Sequence, residues 1–245
     1  MSRIDDLTHA GLHKLGPKPS DNADQREKGK YSERVSHAIA AAFAEELRKR
    51  GMKEALPALP GEVGASGAER RMAGGIGAKK VDVTWSTEQS GLLLGISVKS
   101  INFRDSRTRN FQKNLINRRG DMLIEGVTLH RRFPYAVLAG FFFLDKEAAN
   151  DATEKRRSTF ENAHNRLKLF TGRMDPAGRD EQFERMYILL LDANPFSSSL
   201  LAHRVGEPSA VITLKEIFDE LVALVAERNP DFYECVNGEI KRASR

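Results

Sequence analysis

Apolar and polar residues alternate at 81–86, where Val81, Val83 and Trp85 interleave with Asp82, Thr84 and Ser86. A period of two marks a strand with one apolar and one polar face. A second strand-like run, 92–101, follows a polar turn at Gln89-Ser90-Gly91. In it Ile96 and Val98 share one face, while Ser97 and Lys99 share the other. Paired as a hairpin, the two runs would hold a carboxylate and an ammonium on one side of a rigid sheet.

Elsewhere the period changes. Val35, Ile39, Ala42, Phe43 and Leu47 recur at helical spacing, predicting a helix from Tyr31 or Ser32 to about Arg50, stopped by Gly51. Glu46 falls inside that apolar stripe, where a carboxylate is costly unless paired or bound to a metal. Met122, Leu123, Val127 and Leu129 predict a second helix over 119–132, with Asp121 and Glu125 together on its flank. Residues 135–145 and 186–193 are near-continuous apolar runs and read as buried strands. Residues 146–173 read as a largely polar helix, 205–214 as an edge strand broken by Pro208, and 214–228 as an amphipathic helix. Residues 57–78, with six glycines and two prolines, read as a mobile loop. Residues 1–30 read as a flexible lead-in. The pattern predicts an α/β protein with a mixed central β-sheet flanked by helices, folded as a single domain over 31–245.

Composition narrows the function. At 245 residues, 40% hydrophobic and 30% charged, the chain has the make-up of an ordinary soluble domain. Its longest apolar run is about ten residues, half the roughly 20 that a bilayer span needs, so no membrane role is expected. The N-terminus carries acids and no apolar core of a signal peptide. One cysteine, Cys235, excludes an internal disulfide framework, and a reducing, cytoplasmic setting is expected. The net charge of +5 is concentrated: 99–119 holds seven basic residues against one acid, Asp105. A focused patch of this kind suits a polyanion. Phe103 and Phe111 sit among the arginines, where anchoring the loop is favoured over stacking on bases.

Most chemistries fail on motif. No GxxxxGK[ST] or strand-bound GxGxxG is present, so no nucleotide cofactor is expected. No HExxH, GxSxG or paired CxxC occurs, and the single ExxH, Glu161 to His164, is too little for a di-metal bundle.

What is left is the hairpin. Asp82 followed by Ser97-Val98-Lys99, with helices on either side and a further strand beyond, resembles the PD-(D/E)xK nuclease superfamily, the restriction-endonuclease-like fold. The resemblance covers a core of about 31–145, leaving 146–245 as a C-terminal extension. It implies a metal-dependent DNA endonuclease of restriction or defence type, using Mg²⁺, for which Mn²⁺ can substitute. Here Ser97 stands where the family usually has an acid, and a hydroxyl is a weak magnesium ligand. The missing carboxylate must come from elsewhere, from Glu125 first and Glu46 as the reserve. The resemblance then implies Asp82, the displaced glutamate and the Val98 carbonyl as metal ligands, with Lys99 orienting a water and neutralising charge on the phosphorane. Burial is expected to lower the pKa of Lys99. Arg104, Arg107, Arg109, Lys113, Arg118 and Arg119 are the expected phosphate contacts. A homodimer would suit double-strand cleavage. The rival readings are a catalytically inactive DNA-binding module on the same fold, and a protein-interaction domain with a basic loop.

Overall fold

The computed structural model describes residues 2–58, 70–194 and 198–244. Helices α1 (Arg3–His13) and α2 (Gln25–Lys49) lead into a two-stranded ribbon, β1 (Arg70–Gly74) and β2 (Gly77–Val81). A five-stranded mixed sheet follows, its strands side by side in chain order. β3 (Val83–Thr87) runs antiparallel to β4 (Gly91–Ile101). β5 (Val137–Asp145) and β6 (Arg185–Asp192) continue parallel to β4, and β7 (Ser199–Arg204) closes the far edge antiparallel. Helix α3 (Leu115–His130) joins β4 to β5, and α4 (Thr159–Leu167) joins β5 to β6. Helix α5 (Leu214–Arg228) precedes a terminal hairpin, β8 (Tyr233–Val236) and β9 (Glu239–Arg242). Among the described residues no helix is long and apolar enough to cross a membrane.

The sheet is covered on both faces, which is why β5 and β6 read as unbroken apolar runs. Ala139, Phe141 and Phe143 of β5 pack with α1, α2 and α5 on one side, while Leu138, Phe142 and Leu144 pack with α3 and α4 on the other. The Phe43 ring of α2 meets Phe141 at 4.8 Å and Phe218 of α5 at 5.1 Å, so the C-terminal helix shares its core with the first half of the chain. Ile96 and Val98 of β4 face that same layer. By strand alternation Ser97 and Lys99 point the opposite way, toward α3.

Several elements differ from expectation. The supposed flexible lead-in contains α1, whose Ile4, Thr8 and Leu12 are buried, and the first turns of α2. Ser2 and Asp5 close a capping box on α1, which holds a helix that its polar composition hid. Of the loop expected over 57–78, residues 59–69 lie outside the described residues, and the remainder includes the β1–β2 ribbon. The long polar helix over 146–173 is instead a 3₁₀ turn (Lys146–Ala149), a tight turn bridged from Thr153 to Arg156, the short α4 and a second 3₁₀ turn (Lys168–Phe170), because Ser158 caps a new helix start. The edge strand lies at Ser199–Arg204, and the 205–214 stretch adds only one bridge, Ala202 to Ile212.

Candidate active site

The two strands of the first hairpin stop being neighbours at Val83–Ile96. Past that point β4 runs on for five residues with its outer margin open. Asp82 sits at this break, in the bend between β2 and β3, and its Oδ2 accepts a 2.6 Å hydrogen bond from the Val98 amide. The N–H and C=O of one strand residue leave on the same side. The Val98 carbonyl therefore faces the same open margin.

Helix α3 crosses the face of β4 that carries Ser97 and Lys99, and brings Glu125 down onto them. Glu125 Oε2 accepts from Ser97 Oγ at 3.2 Å and from Lys99 Nζ at 3.3 Å. Lys99 Nζ also lies 3.7 Å from Asp82 Oδ2. Thus Asp82, the Ser97–Lys99 pair and Glu125, from three separate parts of the chain, form one cluster, with the Glu125 carboxylate beside Ser97.

Lys99 is shared between two carboxylates, and the Glu125 side chain is only 5% exposed. Burial pushes the Glu125 carboxyl above the usual carboxylate range, with Asp82 adding to the rise and Lys99 opposing it. Burial would lower Lys99, but the attraction of Glu125 and Asp82 outweighs it and the net shift is upward. That corrects the expected fall. Lys99 is a held cation here, suited to neutralising charge and unsuited to accepting a proton.

Two carboxylates beside an open strand margin are a donor set of the kind a divalent cation takes. Mg²⁺ is commonly held by one or two carboxylates with waters and substrate oxygens completing the octahedron. Asp82, Glu125 and the Val98 carbonyl supply such a partial set, and among the described residues no group of three or more His, Cys, Asp or Glu side chains gathers as a fuller cage. Glu46 does not join it. It is buried in the α2 stripe as its spacing implied, yet both its oxygens are taken by guanidinium groups: Arg3 at 2.8 and 3.1 Å and Arg50 at 2.6 Å.

A groove of about 500 Å³ opens from Lys99 between α2 and the segment after β4, with Asn102, Lys113 and Arg118 on one wall. Glu33 and Ser36 of α2 form the other. Sequence reasoning passed over Glu33 because it lies outside the apolar stripe. The flank of that stripe, and not its centre, is what meets the open edge of β4.

The basic segment is a shaped loop. Asp105 Oδ1 accepts from the amides of Arg107 and Thr108 at 3.2 and 2.9 Å, and its Oδ2 pairs with Lys113 at 2.6 Å. Lys113 and the Thr108 amide hold the Asp105 carboxyl well below the usual range. Arg109 takes a left-handed turn, φ 56°, within the loop. Phe111 is buried, and Phe103 packs edge-on against Tyr31 at 5.8 Å, so both rings anchor the loop as favoured. Arg107 and Arg109 are exposed. Arg104 reaches Glu147 at 3.5 Å, Arg118 reaches Asp121 at 3.7 Å, and Arg119 lies over the Phe170 ring at 5.7 Å. Surface pairs of this kind are weak and a phosphate can displace them.

No family model, curated protein or solved structure matches the chain.

Proposed function

We propose that this chain is a metal-dependent DNA endonuclease of the PD-(D/E)xK type, in which Glu125 replaces the motif acid absent at Ser97. The observation that carries the reading is the convergence of Asp82, Lys99 and Glu125 at the open margin of β4, beside a groove with basic residues on its wall. A bound Mg²⁺ or Mn²⁺ would polarise the scissile phosphate and lower the pKa of a coordinated water. Asp82, Glu125 and the Val98 carbonyl would hold it. In the hydrolysis a water oxygen bonds to phosphorus and the P–O bond to the leaving deoxyribose oxygen breaks. The water gives up a proton and the leaving oxygen takes one. Lys99, kept cationic by its two carboxylates, offsets the charge that builds on the phosphorane. Arg118 and the 104–113 loop position the neighbouring phosphates.

Supercoiled plasmid incubated with purified protein, with Mg²⁺ or with EDTA, tests this. Metal-dependent nicking or linearisation is expected, falling about 10²–10³-fold in Lys99→Ala, the cost of losing one preorganised charge-stabilising group. Asp82→Ala and Glu125→Gln should be at least as impaired. Cleavage undiminished in both Asp82→Ala and Lys99→Ala would sink the assignment. The rival, a DNA-binding module without cleavage, draws on the way Lys99 already neutralises part of both carboxylates. Tight, salt-dependent binding without a cut under any divalent metal would favour it.

A further inference from the structure

The basic loop is tied to α4. Asp151, in the chain between β5 and α4, is buried, and its Oδ2 accepts from the Phe111 amide at 3.2 Å and from Thr159 Oγ1 at 2.5 Å. Its Oδ1 accepts from the Thr159 amide at 2.6 Å. One carboxylate thus holds the end of the loop against the start of the helix, and Phe111 and Phe160 lie in the same apolar cluster. Helix α4 buries Phe160, Ala163 and Leu167. Arg166 falls on the flank of that stripe and is half-buried.

A second groove, of about 660 Å³, lies between this loop and α4, with Arg107 contributed by the loop and Arg166 by the helix. Apart from Ile116 its lining is polar or charged. Three basic residues, Arg107, Lys113 and Arg166, stand against one acid, Asp105, a balance of +2. Asp105 and Lys113 pair with each other at 2.6 Å. The excess therefore resides in Arg107 and Arg166, whose side chains form no ion pair with any described residue. Asp105, Ser106 and Lys113 line both this groove and the one beside Lys99, so the loop is a ridge with a basic groove on either side. The Asp105 amide donates to the Asn110 carbonyl at 2.8 Å and the Arg109 amide to the Asp105 carbonyl at 2.9 Å, which sets its outgoing and returning segments side by side. A ridge two chain segments wide is of the size that the major groove of a duplex, about 12 Å across, admits.

We propose that the groove between the basic loop and α4 binds the backbone of the second strand of a DNA duplex, with Arg107 and Arg166 as its phosphate contacts, while the strand to be cut lies beside Lys99. The inference rests on DNA being the substrate. It gives α4, which lies beyond the 31–145 core, a part in holding the duplex. A single strand fills one groove, and a duplex fills both.

The test is the salt dependence of binding to a labelled duplex and to one of its strands alone, with Ca²⁺ in place of Mg²⁺ to prevent cutting. Arg107→Ala/Arg166→Ala removes two phosphate-neutralising charges, so on the duplex the slope of log K against log salt should become less negative by about 1.8. On the single strand the slope should not change. The charge-keeping Arg107→Lys/Arg166→Lys should hold the wild-type slope on both, which separates loss of charge from loss of fold. A lysine variant as flat as the alanine one overturns the phosphate role. An alanine variant with the wild-type slope on the duplex overturns the second groove and leaves the nuclease reading standing. An equal change of slope on the single strand overturns the assignment of one strand to each groove. A wild-type protein that binds no DNA overturns both the groove and the nuclease reading.

Discussion

Replacing Lys99 by methionine keeps most of the side-chain volume and removes the ammonium that two carboxylates share. The ammonium lies 3.3 Å from Glu125 and 3.7 Å from Asp82. At an effective dielectric of 20 each attraction amounts to about 4–5 kcal/mol, opposed by several kcal/mol for desolvating the ions. Breaking a buried pair by removing one partner leaves the other uncompensated, and the expected loss near pH 8 is about 3–5 kcal/mol. The loss should depend on pH in a particular direction. The folded pKa of Glu125 is already raised, so its protonated form favours folding, and stability from that source is present at acid pH and lost as pH climbs above the ordinary carboxylate value. Lys99 restrains that rise, so without it Glu125 holds its proton more tightly. Lys99→Met should therefore cost little near pH 5 and most near pH 8. Urea unfolding at the two pH values measures this, with Lys99→Met/Glu125→Gln closing a double-mutant cycle. The double variant should recover at least half of the loss at pH 8. A cost for Lys99→Met that is independent of pH, or a double variant no better than the single one, would refute the coupling.

Three further outcomes follow from the same geometry. If Asp82 and Glu125 hold a divalent ion, Mg²⁺ at ten times its Kd should stabilise the protein by about 1.4 kcal/mol, read as a rise in Tm that Glu125→Gln abolishes. Binding of duplex DNA through four of the arginines of the basic loop and the start of α3 should show a salt slope near −3.6, and Asp105→Ala, which releases the amides of Arg107 and Thr108 together with Lys113, should flatten it. Glu184, fully buried against His130 at 3.2 Å, Arg173 at 3.0 Å and Arg228 at 3.3 Å, makes Glu184→Gln a core defect. Burial alone would raise the Glu184 carboxyl, but His130, the Leu138 amide and Arg173 outweigh it and the pKa is lowered. The stability it contributes is thus present above the ordinary carboxylate pKa and lost as pH falls through the lowered value, so a deficit of about 3–5 kcal/mol in urea melts at pH 7 should shrink toward pH 3.

How much of this the chain revealed in advance depended on the range of the interaction. Strand parity is local, and the alternation of Ile96 and Val98 with Ser97 and Lys99 placed the chemical pair on the face that α3 covers. Helix phase is also local, and it put Glu125 on a flank and Glu46 in a stripe. What a carboxylate meets is not local. Glu46 was buried as its position demanded, but its partners include Arg3, 43 residues away, which no periodicity encodes. The elements lost were those marked by single residues and not by a repeating pattern. The capping box of Ser2 with Asp5 announced α1, and Asn237-Gly238, with both residues at positive φ, announced the β8–β9 hairpin. The same distinction explains the site itself. A motif in which acid and lysine lie two residues apart is fixed by one strand, and any sequence carrying it can be read. On the proposed reading one carboxylate stands on a helix 26 residues downstream of Lys99, so the site exists only if the packing of α3 on β4 brings it there. The chemistry thereby becomes dependent on the packing of Met122 and Leu129 that seats α3, and core substitutions there should damage activity before they unfold the protein.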